Sequence, residues 1–342
     1  MLLTFYRFIN NKSVFVSMMT QSKIAIFAII IIIPLVSVIL WSNESTENLE
    51  SSEDELQVYV SFYSLYETTQ AIIGQNVDVK ILTPVNVDPH DFDPSIKIIQ
   101  EMKAADLIIL NGGGFESWIS NMEFESGQLL DSSNGISFLK TESIDHHEIP
   151  EEEHEEYEEH EEYEEHEEHE VALDPHIWLN PNLVKIQVKN IAERLSEIDP
   201  ENSKSYNENA LQYVEKLELL DLQIREELSS CSKKDFITYH NAFSHFSNEY
   251  GLTQHTITKG VHDHSQPTAK SIEDIIDLAK KLDISVIFAE DTSDIRISKV
   301  IADEIGADVL ILSPIATKNT ENKNYFERMQ ENVSNLKEAL CN

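Results

Sequence analysis

Between Glu201 and Glu227 the chain keeps one apolar stripe for longer than a typical domain helix, with Tyr206, Ala210, Tyr213, Leu217, Leu220 and Ile224 recurring at steps of three and four. On either side of it, strand and helix patterns alternate. Upstream, LQVYVSF and VDVKILT read as strands. YSLYETTQAIIG reads as a helix ended by Gly74, PSIKIIQEMKAA as a helix with Pro94 in its first turn, and DLIILNGGG as a buried parallel strand. Downstream, DFITYH is a strand ending on His240, and NAFSHFSNEYG a helix closed by Gly251. SIEDIIDLAKKL, SKVIADEIG and YFERMQENVSNLKEAL are helices around the strands ISVIFAE and ADVLILS. The expected fold class is α/β: two α/β lobes with mainly parallel sheets, 56–200 and 231–342, joined by one long linking helix, 201–230. Such an arrangement leaves a cleft between lobes, and ligands sit outside the carboxyl ends of the strands.

The residues before Leu56 have another character. Ile24 to Trp41 is an uninterrupted apolar run of 18 residues, just long enough to span a membrane. Residues 1–23 carry Arg7, Lys12 and Lys23 and are expected to stay inside; the acidic linker 42–55 is expected outside, with the body of the protein. The alternative is a cleaved signal segment, although no small-residue cleavage site is evident and no cysteine offers lipid attachment. Cys231 and Cys341 make no zinc-cluster spacing; they read as either a disulfide or two free buried thiols.

The formal charge of −37 excludes a nucleic-acid partner, which needs a basic patch. Residues 142–170 hold 17 of the acidic residues and no Lys or Arg, leaving −20 for the rest of the chain. This segment cycles as Glu-Glu-His-Glu-Glu-Tyr, has no apolar period, and is expected to be a disordered loop. The four histidines inside the repeat, His154, His160, His166 and His169, are expected to hold divalent cations loosely beside a tighter site. The rival reading is a solvated spacer.

Two triplets echo one another: Val-Asp-Pro-His at Val87–His90 and Leu-Asp-Pro-His at Leu173–His176. Proline stiffens the chain before each histidine, so less entropy is lost on coordination. The neighbouring acid is placed to orient the ring. His240, at the carboxyl end of a strand, is a third candidate. His262 and His264, in Gly-Val-His-Asp-His-Ser, form an accessory pair whose bland reading is an exposed loop. His245 and His255 read as structural. The run Gly112–Gly114 lacks the lysine of a phosphate loop and reads as a tight turn.

These motifs together resemble the zinc- and manganese-binding proteins of ABC metal importers. The resemblance rests on V-D-P-H-D-F-D-P, A-A-D-L-I-I-L-N-G-G-G-F-E-S-W, the His/Glu-rich insertion followed by D-P-H-I-W-L-N-P, and Y-H-N-A-F-S-H-F-S-N-E-Y-G-L. It covers the chain from about Leu56 onward. It implies a receptor that performs no covalent chemistry and delivers its ion to an ABC permease, working as a monomer outside the cytoplasm. The implied metal ligands are His90, His176 and His240. Many relatives place an aspartate after the last strand of the second lobe, where this chain has Ser313; Glu290 or Asp291 are the alternatives for a fourth or supporting position. Three neutral imidazoles suit Zn²⁺ better than Mn²⁺. A stiff linking helix implies little lobe closure. The rivals are an adhesin or metal-storage protein, and a zinc hydrolase, for which the H-E-x-x-H helix motif is absent, His-Glu pairs occurring only in the acidic repeat.

Overall fold

Strands β1 (Val58–Val60), β2 (Val79–Ile81), β3 (Leu107–Leu110) and β4 (Leu129–Asp131) form a parallel sheet in the order β2-β1-β3-β4. The computed structural model describes residues 56–141, 172–258, 267–291 and 295–341, except positions 76, 86 and 320. A two-stranded antiparallel ladder, β5 (Lys140–Thr141) with β6 (Ala172–Leu173), pairs position 141 with 172. A second parallel sheet comprises β7 (Asp235–Thr238), β8 (Thr253–Thr256), β9 (Val286–Ala289) and β10 (Asp308–Ile311) in the order β10-β9-β7-β8. Read from the other edge, it repeats the first sheet: second, first, third, fourth. Each lobe therefore reverses direction between its first and third strands, which opens a crevice at their carboxyl ends.

The central strands are apolar on both faces, as parallel strands covered by helices must be. β3 reads Leu-Ile-Ile-Leu and β9 Val-Ile-Phe-Ala, and every residue of both is buried. The first lobe carries α1 (Tyr63–Ile73), α2 (Ile96–Lys103) and α3 (Pro181–Ile198). Helix α1 stops at Gly74, whose φ of +86° a side chain would resist. Ser95, rather than Pro94, caps α2, accepting from the Ile98 amide at 3.4 Å. Asn180 caps α3, and Pro181 fills its first position.

Helix α4 (Ser203–Ser229) is 27 residues long. It buries Tyr206, Ala210, Tyr213, Leu217, Leu220, Ile224 and Leu228 and packs against α1 and α3 on one side. Toward the second lobe it meets α5 (Ser244–Tyr250) and the closing helix α8 (Tyr325–Leu340). The remaining helices are α6 (Ala269–Lys281) and α7 (Ile295–Ile305). Cys231, just past α4, is bridged to Cys341, just past α8. Closing a loop of 110 residues restricts the unfolded chain by about 5 kcal/mol in the chain-entropy picture.

The two lobes share their core. One buried apolar cluster runs from Val58, Phe62 and Leu65 through Trp178, Tyr206 and Leu217 to Phe236, Phe288, Tyr325 and Met329. Polar bonds stitch the same seam. The Trp178 indole donates to the Pro314 carbonyl at 2.7 Å, the Tyr325 hydroxyl to the Trp178 carbonyl at 2.8 Å, and the Ser64 hydroxyl to the Ile315 carbonyl at 2.6 Å.

Among the described residues no helix is long and apolar enough to cross a membrane. The apolar run 24–41, with 1–23 and 42–55, lies outside them, as do His154, His160, His166, His169, His262 and His264.

Candidate metal centre

The two Asp-Pro-His triplets share one hydrogen bond. In each, the aspartate carboxylate accepts the backbone N–H of the histidine two residues on: Asp88 from His90 and Asp174 from His176, both at 3.0 Å. Proline supplies the fixed φ and has no N–H to leave unpaired, so the turn closes on the acid. The triplets present two histidines, one after β2 and one after β6; His90 lies within a short 3-10 turn, Pro89–Asp91, and His176 caps the next one, Ile177–Leu179. His240 comes from the second lobe. It stands two residues past the end of β7, so the strand stops short of the histidine and a turn delivers it. The turn is held by the Thr238 hydroxyl and the Gln254 amide, which donate to the His240 carbonyl at 2.8 Å and 3.0 Å.

The structure brings His90, His176 and His240 together, with one ring nitrogen of each lying within 4.8 Å of the others. The Nε2 atoms of His90 and His176 are 3.1 Å apart. Ring centroids lie 5.0 Å apart for His90 and His176, 5.3 Å for His176 and His240, and 6.1 Å for His90 and His240. His176 and His240 are buried and His90 is partly exposed, so the group opens on one side. Among the described residues, the group contains these three side chains and no carboxylate.

Carboxylates stand behind the rings instead. His176 Nδ1 donates to Asp174 Oδ1 at 2.7 Å, and His240 Nδ1 to Glu290 Oε1 at 2.5 Å. Each bond fixes the tautomer that leaves Nε2 with its lone pair, and raises the basicity of that nitrogen. Glu290 follows β9 directly, so the first and third strands of the second sheet supply the ring and its orienting acid. Burial alone would raise the Asp174 carboxyl, but the charge and hydrogen bond of His176, with the charge of His245, hold it below the ordinary carboxylate range. Burial alone would lower His240, but Glu290, helped by Asp88 and Asp174, raises it above the usual imidazole value.

The fourth-position alternatives are placed differently. Asp291 Oδ2 pairs with the buried Arg328 at 2.6 Å and accepts the Ser313 hydroxyl at 2.8 Å. Ser313 Oγ also accepts from Arg328 at 2.6 Å and from the Ile315 amide at 3.1 Å. Both side chains are committed to this guanidinium, and neither belongs to the histidine group. His245 donates to the Asp174 carbonyl at 2.9 Å, and His255 to Asp235 at 2.8 Å. Both act within the fold.

One participant escaped the sequence reading. Glu116 is buried, and its carboxylate fills the turn after β3, accepting from the Asn111 amide at 2.7 Å and the Gly112 amide at 3.1 Å. The glycine run is therefore a cradle occupied by the chain's own carboxylate. Burial pushes the Glu116 carboxyl up to about 7 against the pull of these amides. The glycines are required: a Cβ on Gly112 would meet Asp131 at 2.2 Å, and one on Gly113 would meet Phe138 at 2.3 Å. The Asn-Gly-Gly-Gly-Phe-Glu string carried the signal, because an acid two residues beyond a glycine turn is well placed to cap it.

A family model described as "Zinc-uptake complex component A periplasmic" (ZnuA) matches residues 58–339. The chain belongs to the ZnuA family. Family members are zinc-binding receptors of ABC importers, and the two-lobe architecture is theirs. The chain is 35% identical to the high-affinity zinc uptake system protein ZnuA of Bacillus subtilis (strain 168), over 87% of this chain and 92% of that one. It is 30% identical to the zinc-binding protein AdcA of Streptococcus pyogenes, of whose length it spans 56%. The solved metal-dependent lipoprotein YcdH of Bacillus subtilis superposes with a TM-score of 0.67 at 31% identity, covering 84% of this chain and all of that one. The laminin-binding protein Lmb of Streptococcus agalactiae, described as a bifunctional protein with adhesin and metal transporting activity, superposes with a TM-score of 0.71 at 25% identity, covering 84% of this chain and 99% of that one.

Proposed function

We infer that this ZnuA-family receptor binds one Zn²⁺ between its lobes through the Nε2 atoms of His90, His176 and His240 and passes it to an ABC permease. The observation that carries this reading is the convergence of three ring nitrogens from loops far apart in sequence, two of them with Nδ1 fixed by a buried carboxylate. Zn²⁺ takes nitrogen ligands in a four-coordinate shell, and here the fourth place falls to water or to a group of the partner. Mn²⁺ prefers oxygen donors, which the group lacks among the described residues. A donor set of this kind also fits a hydrolytic zinc site, but the family is one of solute-binding receptors, and we propose no enzymatic role.

Residues 24–41 are proposed to anchor the receptor in the membrane with its body outside, acting as a monomer. The acidic segment is proposed to gather zinc for the cleft. The residues flanking it, Lys140–Thr141 and Ala172–Leu173, pair in the β5–β6 ladder, and Asp174, the first residue past that ladder, donates its amide to the Leu139 carbonyl at 2.9 Å. The described residues that flank the segment are therefore paired just before His176. Residues 262 and 264 keep the more modest role of an accessory pair.

The decisive experiment is native mass spectrometry of metal-free protein offered Zn²⁺, Mn²⁺, Ni²⁺ and Cu²⁺ together. The reading expects one tightly held zinc per chain. Deleting residues 151–170 should remove weak sites and leave that one; unchanged total stoichiometry would refute the role given to the segment.

A further inference from the structure

The turn that Glu116 closes touches both ligand loops of the first lobe. On one side the Asn111 side-chain amide donates to the Pro175 carbonyl at 2.8 Å, immediately before His176. On the other side Phe115 stands edge-on to His90, ring centroids 4.8 Å apart, and also packs on Trp178 at 5.1 Å. The Gln187 amide, from α3, donates to Asn111 Oδ1 at 3.3 Å and to Ser132 at 2.9 Å, fixing the Asn111 amide so that its nitrogen faces Pro175. The turn itself has little intrinsic stiffness. Gly112, Gly113 and Gly114 follow one another at φ of +86°, +66° and +82°, and such a run is free to take many conformations. The Glu116 carboxylate removes that freedom by taking two consecutive amides at once.

We propose that Glu116 is a positioning residue for zinc: by locking the Asn111–Gly112 turn it sets the distance between the His90 and His176 loops. A three-nitrogen site tolerates little error in that distance, because all three lone pairs must meet at one point. The Glu116 carboxylate bonds to the Asn111 and Gly112 amides and not to either ligand. Its effect travels through Asn111 to the His176 loop and through Phe115 to the His90 ring. The proposal rests on the reading that these histidines hold the ion.

The test compares the full chain with its Glu116→Ala, Asn111→Ala and His176→Ala variants. Zinc affinity is measured by competition with a chelator, and the visible spectrum of the Co²⁺-loaded protein reports ligand geometry. Circular dichroism confirms that each metal-free variant is folded. Glu116→Ala should bind zinc about tenfold or more weakly and shift the Co²⁺ bands. A purely structural role would lower the melting temperature and leave the spectrum of the folded protein unchanged. Parent-like affinity and spectrum in Glu116→Ala overturn the proposal. Should that variant fail to fold, Asn111→Ala decides: it keeps Glu116 and removes the side chain that links the turn to Pro175 and to Gln187, so a parent-like result there overturns the proposal and a weakened, shifted site supports it. His176→Ala separates the two levels. Tight zinc binding retained in that variant overturns the ligand assignment itself, whereas its loss beside an unaffected Glu116→Ala overturns the positioning role alone.

Discussion

Glu290 grips His240 twice, accepting from the ring Nδ1 at 2.5 Å and from the backbone amide at 3.1 Å through the same oxygen. One carboxylate thus fixes both the position of the loop and the tautomer of the ring. Replacing it with glutamine keeps the shape and removes the charge. Glu290→Gln is expected to weaken zinc binding by about ten- to a hundredfold, the range seen when a carboxylate behind a ligating histidine is removed. Chelator competition at pH 8 measures it, and a parent-like affinity would mean that Glu290 does not tune the ring.

The same pair sets the pH response. Zinc needs the neutral ring, so protons and metal compete for it. In the metal-free protein His240 sits above the usual imidazole value of 6.5, because Glu290 and the nearby Asp88 and Asp174 outweigh burial. Zinc affinity should therefore begin to fall, as pH drops, while an ordinary histidine is still largely neutral. In Glu290→Gln burial regains influence, and the decline should move to lower pH. Titrating both proteins between pH 8 and 5.5 checks this; identical pH profiles would contradict it.

Glu116 makes the opposite kind of prediction, for the metal-free fold. Its carboxyl lies near 7 when folded, against an ordinary value of 4.5. Below 4.5 both folded and unfolded chains hold the proton and the contribution to stability is full. As pH rises toward 7 the unfolded chain gives up its proton first, so stability is lost across that window. Melting temperatures of the parent should fall relative to those of Glu116→Gln between pH 5 and 7.5. Parallel curves would place the Glu116 carboxyl at an ordinary value.

Much of this was legible in the chain. The α4 stripe was visible because one face repeats an apolar residue for about six turns, and β3 and β9 because buried parallel strands are apolar throughout. The three histidines stood out because proline or a strand end preceded each. Four things were hidden. Strand β8 reads Thr-Gln-His-Thr, a polar edge strand with no apolar alternation, and only its pairing with β7 reveals it. β4, with Leu-Leu-Asp, is too short to show a period. The pairing of Asp291, one alternative for a fourth or supporting position, with Arg328 was hidden because its partner lies 37 residues away in a helix, and nothing local announces it. The tethering of the lobes was hidden for the same reason: Trp178 and Pro314 are 136 residues apart.

That tethering predicts a stiff receptor. Trp178 is 1% exposed and bonded to the second lobe through both its indole and its carbonyl. Solution scattering curves with and without zinc should superpose, because closure would have to break the shared core. Trp178→Ala should lower stability by about 3–5 kcal/mol, as loss of a large buried aromatic does. Denaturant unfolding measures that loss, and a change in radius of gyration on zinc binding would contradict the stiffness.

The central claim is that three imidazoles, and no thiolate or cluster of carboxylates, surround the ion. X-ray absorption at the zinc edge, on full chain loaded with less than one equivalent so that only the tightest site fills, tests it directly. The account predicts a four-coordinate shell with three imidazole nitrogens at about 2.0–2.1 Å and the outer-ring scattering that imidazoles give. A shell dominated by oxygen, or one that survives replacement of His90, His176 or His240 by alanine, would contradict it.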